Sequence, residues 1–363
     1  DRDASVLSSQ ELVKKIKDNL KKNGKRIRDI CRILSLNEED LYYNWFNDGK
    51  PRVRELISLV DYLKLPYNEF PEILVLSRKR GNKINLPLYF TQDILYLFGL
   101  LAGDGSLCLT PYNGISIRFH NKNPVLIKSF VDICKNQLGI IPEVGKDHNG
   151  VDYCRFSSKI FADFLKNFGI RINKTYNLEI SESLSSLPNE LISYYLKGIF
   201  DTDGSVCVSN KNKHWIELSA KSKKFILGIH LLLLRFGILS RIREKNRKEI
   251  EIRGRKIKGG KIYILTISGK ENLRKFWESI GFNCPEKRIR LEKALTGKAH
   301  TNIDVIPEIS HILRFYRKKL GLTSKEFYGF TSTVYEKGER KPTREFILKL
   351  GEKFELEDLI KLA

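Results

Sequence analysis

What the chain does without narrows its chemistry first. It has no run of about 18 or more apolar residues, so no segment reads as a membrane-spanning helix. It opens with DRDASVLSSQ, which is no secretory leader. No Walker A loop occurs, so no nucleotide cofactor is expected, and the six histidines form no HxxxH or HNH arrangement. The six cysteines, Cys31, Cys108, Cys134, Cys154, Cys207 and Cys284, are scattered without a CxxC pair. Neither a disulfide frame nor a zinc ribbon is suggested; they read as small buried hydrophobes in a reducing compartment. Methionine is absent even from position 1, so a trimmed or processed chain is expected. The expected location is cytoplasmic, on the nucleoid.

What is present is positive charge. The net charge is +22 over 363 residues. That length suits two or three domains, and 41% hydrophobic residues suffice for real cores. A balance this basic favours a polyanion, nucleic acid first; a generally Lys-rich surface is the competing reading.

Two stretches answer each other: LFGLLAGDGSL at Leu97–Leu107 and LKGIFDTDGSV at Leu196–Val206. Each is an apolar helix-like run ending in Asp-Gly-Ser, and Asp104 and Asp203 lie 99 positions apart. Around each, the chain repeats one order. Thr91 is a helix N-cap, and the helix should run to about Ala102. Ser106–Thr110 and Ile115–His120 predict a hairpin, and Asn123-Pro124 opens a helix closed by Gly139. A second hairpin turns at His148-Asn149-Gly150, before a helix over Lys159–Phe168. In the second half, Ser205–Ser209 and His214–Ala220, then Lys223–Phe236, Arg241–Ile267 and Glu271–Ile280, follow the same plan. Three matched pairs in one order (LFGLLAGDGSLCL with LKGIFDTDGSVCV, FVDICKNQLGI with IHLLLLRFGI, FADFLKNFGI with LRKFWESIGF) imply an internal duplication.

The flanks read as helical. Residues 1–75 are taken as an N-terminal domain of short helices, with a break at Ser35-Leu36-Asn37. It is either a helix-turn-helix unit or a small bundle with a solvated face. Residues 76–85 read as a basic linker. Residues 303–363 predict a C-terminal domain with a capping-box start at Thr323-Ser324-Lys325-Glu326. Ser332–Lys337 is its expected short recognition helix, with Ser332, Thr333 and Lys337 as DNA contacts. This segment resembles helix-turn-helix domains of the Cro/repressor type, the N-terminal one more weakly.

Small residues at Gly99, Ala102, Gly103 and Gly198 permit close approach of the two repeated helices, which brings Asp104 and Asp203 out together. Two carboxylates a few ångströms apart repel, and a divalent cation relieves the repulsion. Oxygen ligands select Mg²⁺ or Mn²⁺. Such a centre facing a phosphodiester activates water and stabilises the leaving oxygen. In the competing reading each aspartate is only a turn residue before a glycine.

The two stretches resemble the LAGLIDADG motifs of homing endonucleases. LKGIFDTDG matches throughout; LFGLLAGDG has Ala102 at the sixth position, where an acid is usual, and keeps Asp104 at the eighth. The similarity covers about Leu86–Gly297, in halves 86–187 and 188–297. It implies an α/β fold of the α+β kind: a pseudo-two-fold αββαββα duplication whose saddle-shaped antiparallel sheets straddle the DNA major groove. It further implies catalytic, metal-binding roles for Asp104 and Asp203, with Gly103 and Thr202 beside them in the metal site. Lys174 in GIRINKTYNLEI and Lys287 in GFNCPEKRIRL resemble the family's two lysines. In that role each sits beside the scissile phosphate, organising water and offsetting charge; a solvated charge is the bland alternative. IELSAKSKKFILGIHLLLLRFGI looks like the endonuclease domains of archaeal inteins. Yet the chain lacks an initial Cys or Ser and a final His-Asn, and so reads as freestanding, or as a relative put to a host use.

Alternate residues of a strand face one side. Arg118 with His120, Tyr153 with Arg155, and Arg241, Arg243, Lys245 and Arg247 are therefore the candidate base contacts. Arg253, Arg255 and Lys258, in RGRKIKGGK, are candidate phosphate contacts; a solubilising hairpin is the alternative. The expected function is monomeric, Mg²⁺-dependent, site-specific DNA cleavage over a long site, and the resemblance to homing endonucleases implies that both strands are cut, leaving short 3′ overhangs. The rivals are a DNA-binding regulator that keeps the frame without cutting, and an RNA-splicing maturase.

Overall fold

Two helices of small and apolar residues form the axis of the protein in a computed structural model. The structure describes residues 4–7, 10–47, 50–66, 73–77, 83–111, 114–209, 214–247, 250–252, 255–257, 259–296 and 305–363. The first motif helix is Gln92–Gly103, whose N-cap Thr91 accepts a hydrogen bond from the Ile94 amide at 3.2 Å. Every residue from Ile94 to Ala102 is buried. The second motif helix is Asn189–Thr202, starting after Pro188. The first is apolar on nearly every side and must be surrounded, and the two pack against each other and against the first strand of each sheet.

Each half wraps its motif helix in one topology. In the first, the sheet order is Gly105–Thr110, Gly114–Asn121, Asp152–Ser157, Glu143–Lys146, all antiparallel. In the second it is Gly204–Val208, His214–Ala220, Gly260–Ser268, Ser240–Arg247. Strands one, two, four and three are neighbours in both. The Pro124–Leu138 and Lys159–Asn167 helices of the first half correspond to Lys223–Leu234 and Lys270–Ser279 of the second. The expected αββαββα duplication is therefore observed. Buried side chains such as Ile117, Phe119, Phe130 and Phe161 in the first half, and Ile216, Leu218, Phe225 and Phe276 in the second, fill the space beneath the sheets. Each contributes about 1.5–3 kcal/mol of burial. All six cysteines are free, and four are fully buried.

The flanks differ from expectation in two places. The N-terminal region has its helices, Gln10–Lys22, Ile27–Leu34 and Val53–Leu63 among them, but also a three-stranded sheet. Ser5–Val6 pairs with Ile73–Ser77, which pairs with Ile84–Pro87. Residues at both ends of the expected 76–85 linker are thus strand residues, because ILVLS and INLP are apolar enough to pair over a core; 78–82 lie outside the described residues. Leu76 and Ile84 join the same core cluster as the motif helices. The C-terminal region has a separate core, with Leu313, Phe327, Ile347 and Leu359 at its centre. Its capping box at Thr323 and Glu326 is formed. Ser332–Lys337 is not the expected helix: Val334–Gly338 make a turn. Glu336 points inward instead, accepting bonds from Arg317 at 2.5 and 3.1 Å and from the Tyr328 hydroxyl at 3.0 Å.

Candidate active site

The two motif helices touch backbone to backbone. A Cβ at Gly99 would lie 2.2 Å from the Tyr195 carbonyl oxygen, and one at Gly198 would lie 2.5 Å from that of Tyr96. Only glycine permits this crossing, and it is the same contact read from each side. A Cβ at Gly103 would strike the Thr202 side chain, so the helix ends stay together. Asp104 and Asp203 are the next residues and cap the two helices.

The carboxylates share one electrostatic environment. Asp203 is pushed up to about 6, first by the protein packed round it, then by the charge of Asp104, against the pull of Lys174 and Lys287. It keeps an open edge to solvent despite that crowding. Asp104 is half-buried and is also raised by burial, against the opposing effects of Asn121, Lys174, Lys287 and His120. Lys174 and Lys287 are held below the usual ammonium range by burial, though both aspartates pull the other way. An acid shifted up beside an amine shifted down means that desolvation outweighs their attraction. Charge concentrated so at the helix ends makes them the candidate functional site.

The lysines take a position that sequence did not suggest. The Lys174 ammonium donates to the carbonyls of Leu101 and Ala102, each at 2.7 Å, and to that of Gly103. The Lys287 ammonium donates to Phe200, Asp201 and Thr202 at 3.0, 2.6 and 3.0 Å. Each lysine thus closes the C-terminus of its own half's motif helix, where orphan carbonyls and the negative dipole end favour a cation. In both halves the acceptors are the three residues before the aspartate.

The halves then diverge. Asn121 donates to the Asp104 carboxylate at 2.7 Å. Register places Phe119 opposite Gly105 and Leu218 opposite Gly204, so Ala220 is the counterpart of Asn121 and offers no donor. Asp201, 1% exposed, accepts from the Tyr96 hydroxyl at 2.8 Å and from the amides of Asn283 at 3.1 Å and Cys284 at 2.9 Å. Its counterpart is Ala102. Asn121, Tyr96 and Asp201 are absent from the sequence reading; only the mismatch of Ala102 with Asp201 pointed toward them.

Of the expected DNA contacts, Arg118, His120, Tyr153 and Arg155 lie together on the outer face of the first sheet. They line a cleft of about 330 Å³ with Asp147 and His148. Arg118 is paired in register with Arg155, and His120 with Tyr153. Arg155 is already held by two bonds to Glu143, at 2.8 and 2.7 Å. Arg241, Arg243, Lys245 and Arg247 are all exposed on one strand, and Arg243 bonds Glu217 at 3.0 Å. Glu143 and Glu217 are acids that the alternation of basic residues along the strands does not single out. Arg255 lies in the Arg255–Ile257 strand; Arg253 and Lys258 lie outside the described residues. Ser332 and Lys337 are exposed and Thr333 is half-buried, far along the chain from the carboxylates.

Residues 190–281 match the family model of a LAGLIDADG-like domain, which places the second motif helix and second sheet inside that match. Residues 190–281 are a LAGLIDADG-like domain. It is 26% identical over 296 residues to glutamine--fructose-6-phosphate aminotransferase of Methanocaldococcus jannaschii, covering 81% of this chain and 25% of that protein. It is 32% identical over 281 residues to a probable translation initiation factor IF-2 of the same organism, covering 75% and 22%. With elongation factor 2 of Methanopyrus kandleri it shares 23% over 321 residues, covering 87% and 23%. The chain thus spans about a quarter of the curated relatives it matches. Among solved structures it is similar to the homing endonuclease I-DmoI in complex with DNA and Mn, at 17% identity and TM-score 0.37, over 52% of this chain and 96% of that one. Full-length DUF199/WhiA is similar at 15% identity and TM-score 0.33, over 76% and 90%.

Proposed function

We propose that this LAGLIDADG protein is a site-specific, double-strand DNA endonuclease that uses divalent metal at Asp104 and Asp203. The observation that carries the reading is the backbone crossing at Gly99 and Gly198, which delivers both carboxylates to one place on a chain of net charge +22. A folded protein gains nothing in stability from two crowded acids, and raised carboxylates are a cost that function accounts for.

The donor set fits a hard cation. The charge of Asp104 raises the proton affinity of Asp203, and a divalent ion relieves such repulsion. Among the described residues no group of three or more His, Cys, Asp or Glu forms a metal cage. Mg²⁺ suits such an open site, keeping water and taking substrate phosphate oxygens for its remaining positions. When bound, the cation supplies Lewis acidity at the phosphodiester and eases deprotonation of water. Asp104 and Asp203 would hold it. The Gly103 and Thr202 carbonyls, each engaged by a lysine through one lone pair, keep a second. Asn121 fixes the Asp104 carboxylate in orientation. Lys174 and Lys287 hold the helix ends, and either reaches a phosphate only by giving up a carbonyl.

The outer sheet faces supply recognition. Arg118, Arg155, Arg241 and Arg243 suit base edges and phosphates, and the glutamates beside Arg155 and Arg243 hold those forks in place before DNA arrives. Relatives with unrelated names that share one quarter-length segment support a module carried in different host proteins, of the intein-endonuclease kind. We place its action on nucleoid DNA as a monomer, the second half-site coming from the same chain. A binding-only regulator is the second reading, and Ala102 is the observation that favours it.

The test is incubation with a randomised duplex library and Mg²⁺, followed by sequencing of cut ends. Defined ends with short 3′ overhangs support the enzyme. Enrichment of bound sequences without ends supports the regulator.

A further inference from the structure

Among the described residues, the buried hydroxyl of Tyr195 has no hydrogen-bond partner. That is unusual for a phenol, since an orphaned buried polar group carries its full desolvation cost. Burial alone drives its ionisation further out of reach. The duplication says what is missing. Tyr96 and Tyr195 precede equivalent motif positions, and the same offset relates Ala102 to Asp201. Tyr96 donates across the helix pair to Asp201. The symmetry-related bond would run from Tyr195 to residue 102, where alanine offers a methyl group.

The loss reaches the lysine. Asp201 also accepts the amides of Asn283 and Cys284, and so pins the start of the Pro285–Thr296 helix that carries Lys287. Lys174 instead sits on a single turn, Lys174–Asn177, after Asn173 with φ 58°. Ala102 cannot tie that turn to the motif helix.

We propose that residue 102 makes the two half-sites unequal. Without its carboxylate the Lys174 limb is held less firmly than the Lys287 limb, and the two strands of a duplex are cut at different rates. Asp201 is then a positioning residue, acting through the Lys287 turn. The proposal rests on the endonuclease reading.

The probe is a supercoiled plasmid bearing a site recovered from cut library ends, with Mg²⁺. The wild type should accumulate nicked circle before linear product. Ala102→Asp should shrink that accumulation by roughly three- to tenfold, the factor that one net hydrogen bond commands. It should raise the thermal midpoint by roughly 2–4 °C. Ala102→Asn, which accepts the same bond without a charge, guards against a misfolded Asp variant. Both gains should vanish in a Tyr195→Phe background. Concerted cutting by the wild type would overturn the proposal, as would stabilised variants with an unchanged nicked-to-linear ratio. Stability changes at residue 102 that ignore residue 195 would remove its structural half. Absence of any cutting sinks the endonuclease reading and the rate claim with it, while thermal coupling between 102 and 195 is read independently.

Discussion

The two half-sites were built from one plan and now spend their polar groups differently. The first ties its carboxylate: Asn121 donates to Asp104. The second ties its scaffold: Asp201 gathers Tyr96, Asn283 and Cys284, while Ala220 leaves Asp203 without that amide. What is identical is the backbone crossing and the lysine that closes each helix. The difference teaches that spacing of the two acids is fixed by elements held in common, whereas orientation of each acid, and firmness of the lysine beside it, vary from half to half.

The comparison breaks most sharply at Asp203. Asp203→Asn should lower cleavage by roughly a hundredfold or more while leaving DNA binding in a gel-shift assay intact. Undiminished cutting by this variant would remove the metal assignment. Asp201→Ala should be the most damaging change to the fold, because three donors lose a buried acceptor. A loss of about 2–4 kcal/mol in denaturant unfolding is expected, against little change for Tyr195→Phe, which removes a hydroxyl with no partner among the described residues.

Lys287→Met should cost more stability than Lys174→Met, since the start of its helix is also pinned by Asp201; equal losses would make the halves alike. Asn121→Ala should raise the proton affinity of Asp104, because that bond favours the charged form. The acid limb of the cleavage profile should then move to higher pH, whereas Ala220→Asn should move it lower through Asp203.

The smallest effect is a linkage. A carboxyl raised to about 6 contributes stability that is fully present below the ordinary carboxylate range and is lost as pH rises through about 6. Asp203→Asn should therefore melt higher than wild type at pH 8, and the advantage should close between about pH 6 and pH 4. An advantage that persists at pH 4 would assign the effect to packing.

Much of this was legible in the sequence. The Asp-Gly pair after each apolar run, Thr91 as N-cap and Gly139 as C-cap, and the Asn149-Gly150 turn are local signals, and each element formed where it pointed. The lysines were found by position, but not what they touch. A bond from Lys174 to Leu101, or from Tyr96 to Asp201, joins residues far apart in sequence and leaves no periodic trace. The two-residue strand Ser5–Val6 is too short to alternate. At 332–337 the β-branched Thr333 and Val334 disfavour a helix, and Gly338 with φ 73° ends the turn.

The crossing at Gly99 and Gly198 has a consequence for inheritance. Because main chain meets main chain there, neither half can reshape that contact without the other, and any side chain added on one side disables both. The strands that would read DNA carry no such obligation. On the endonuclease reading proposed above, a lineage built on this frame is free to change its outer strands one half at a time, while the crossing beneath them stays fixed.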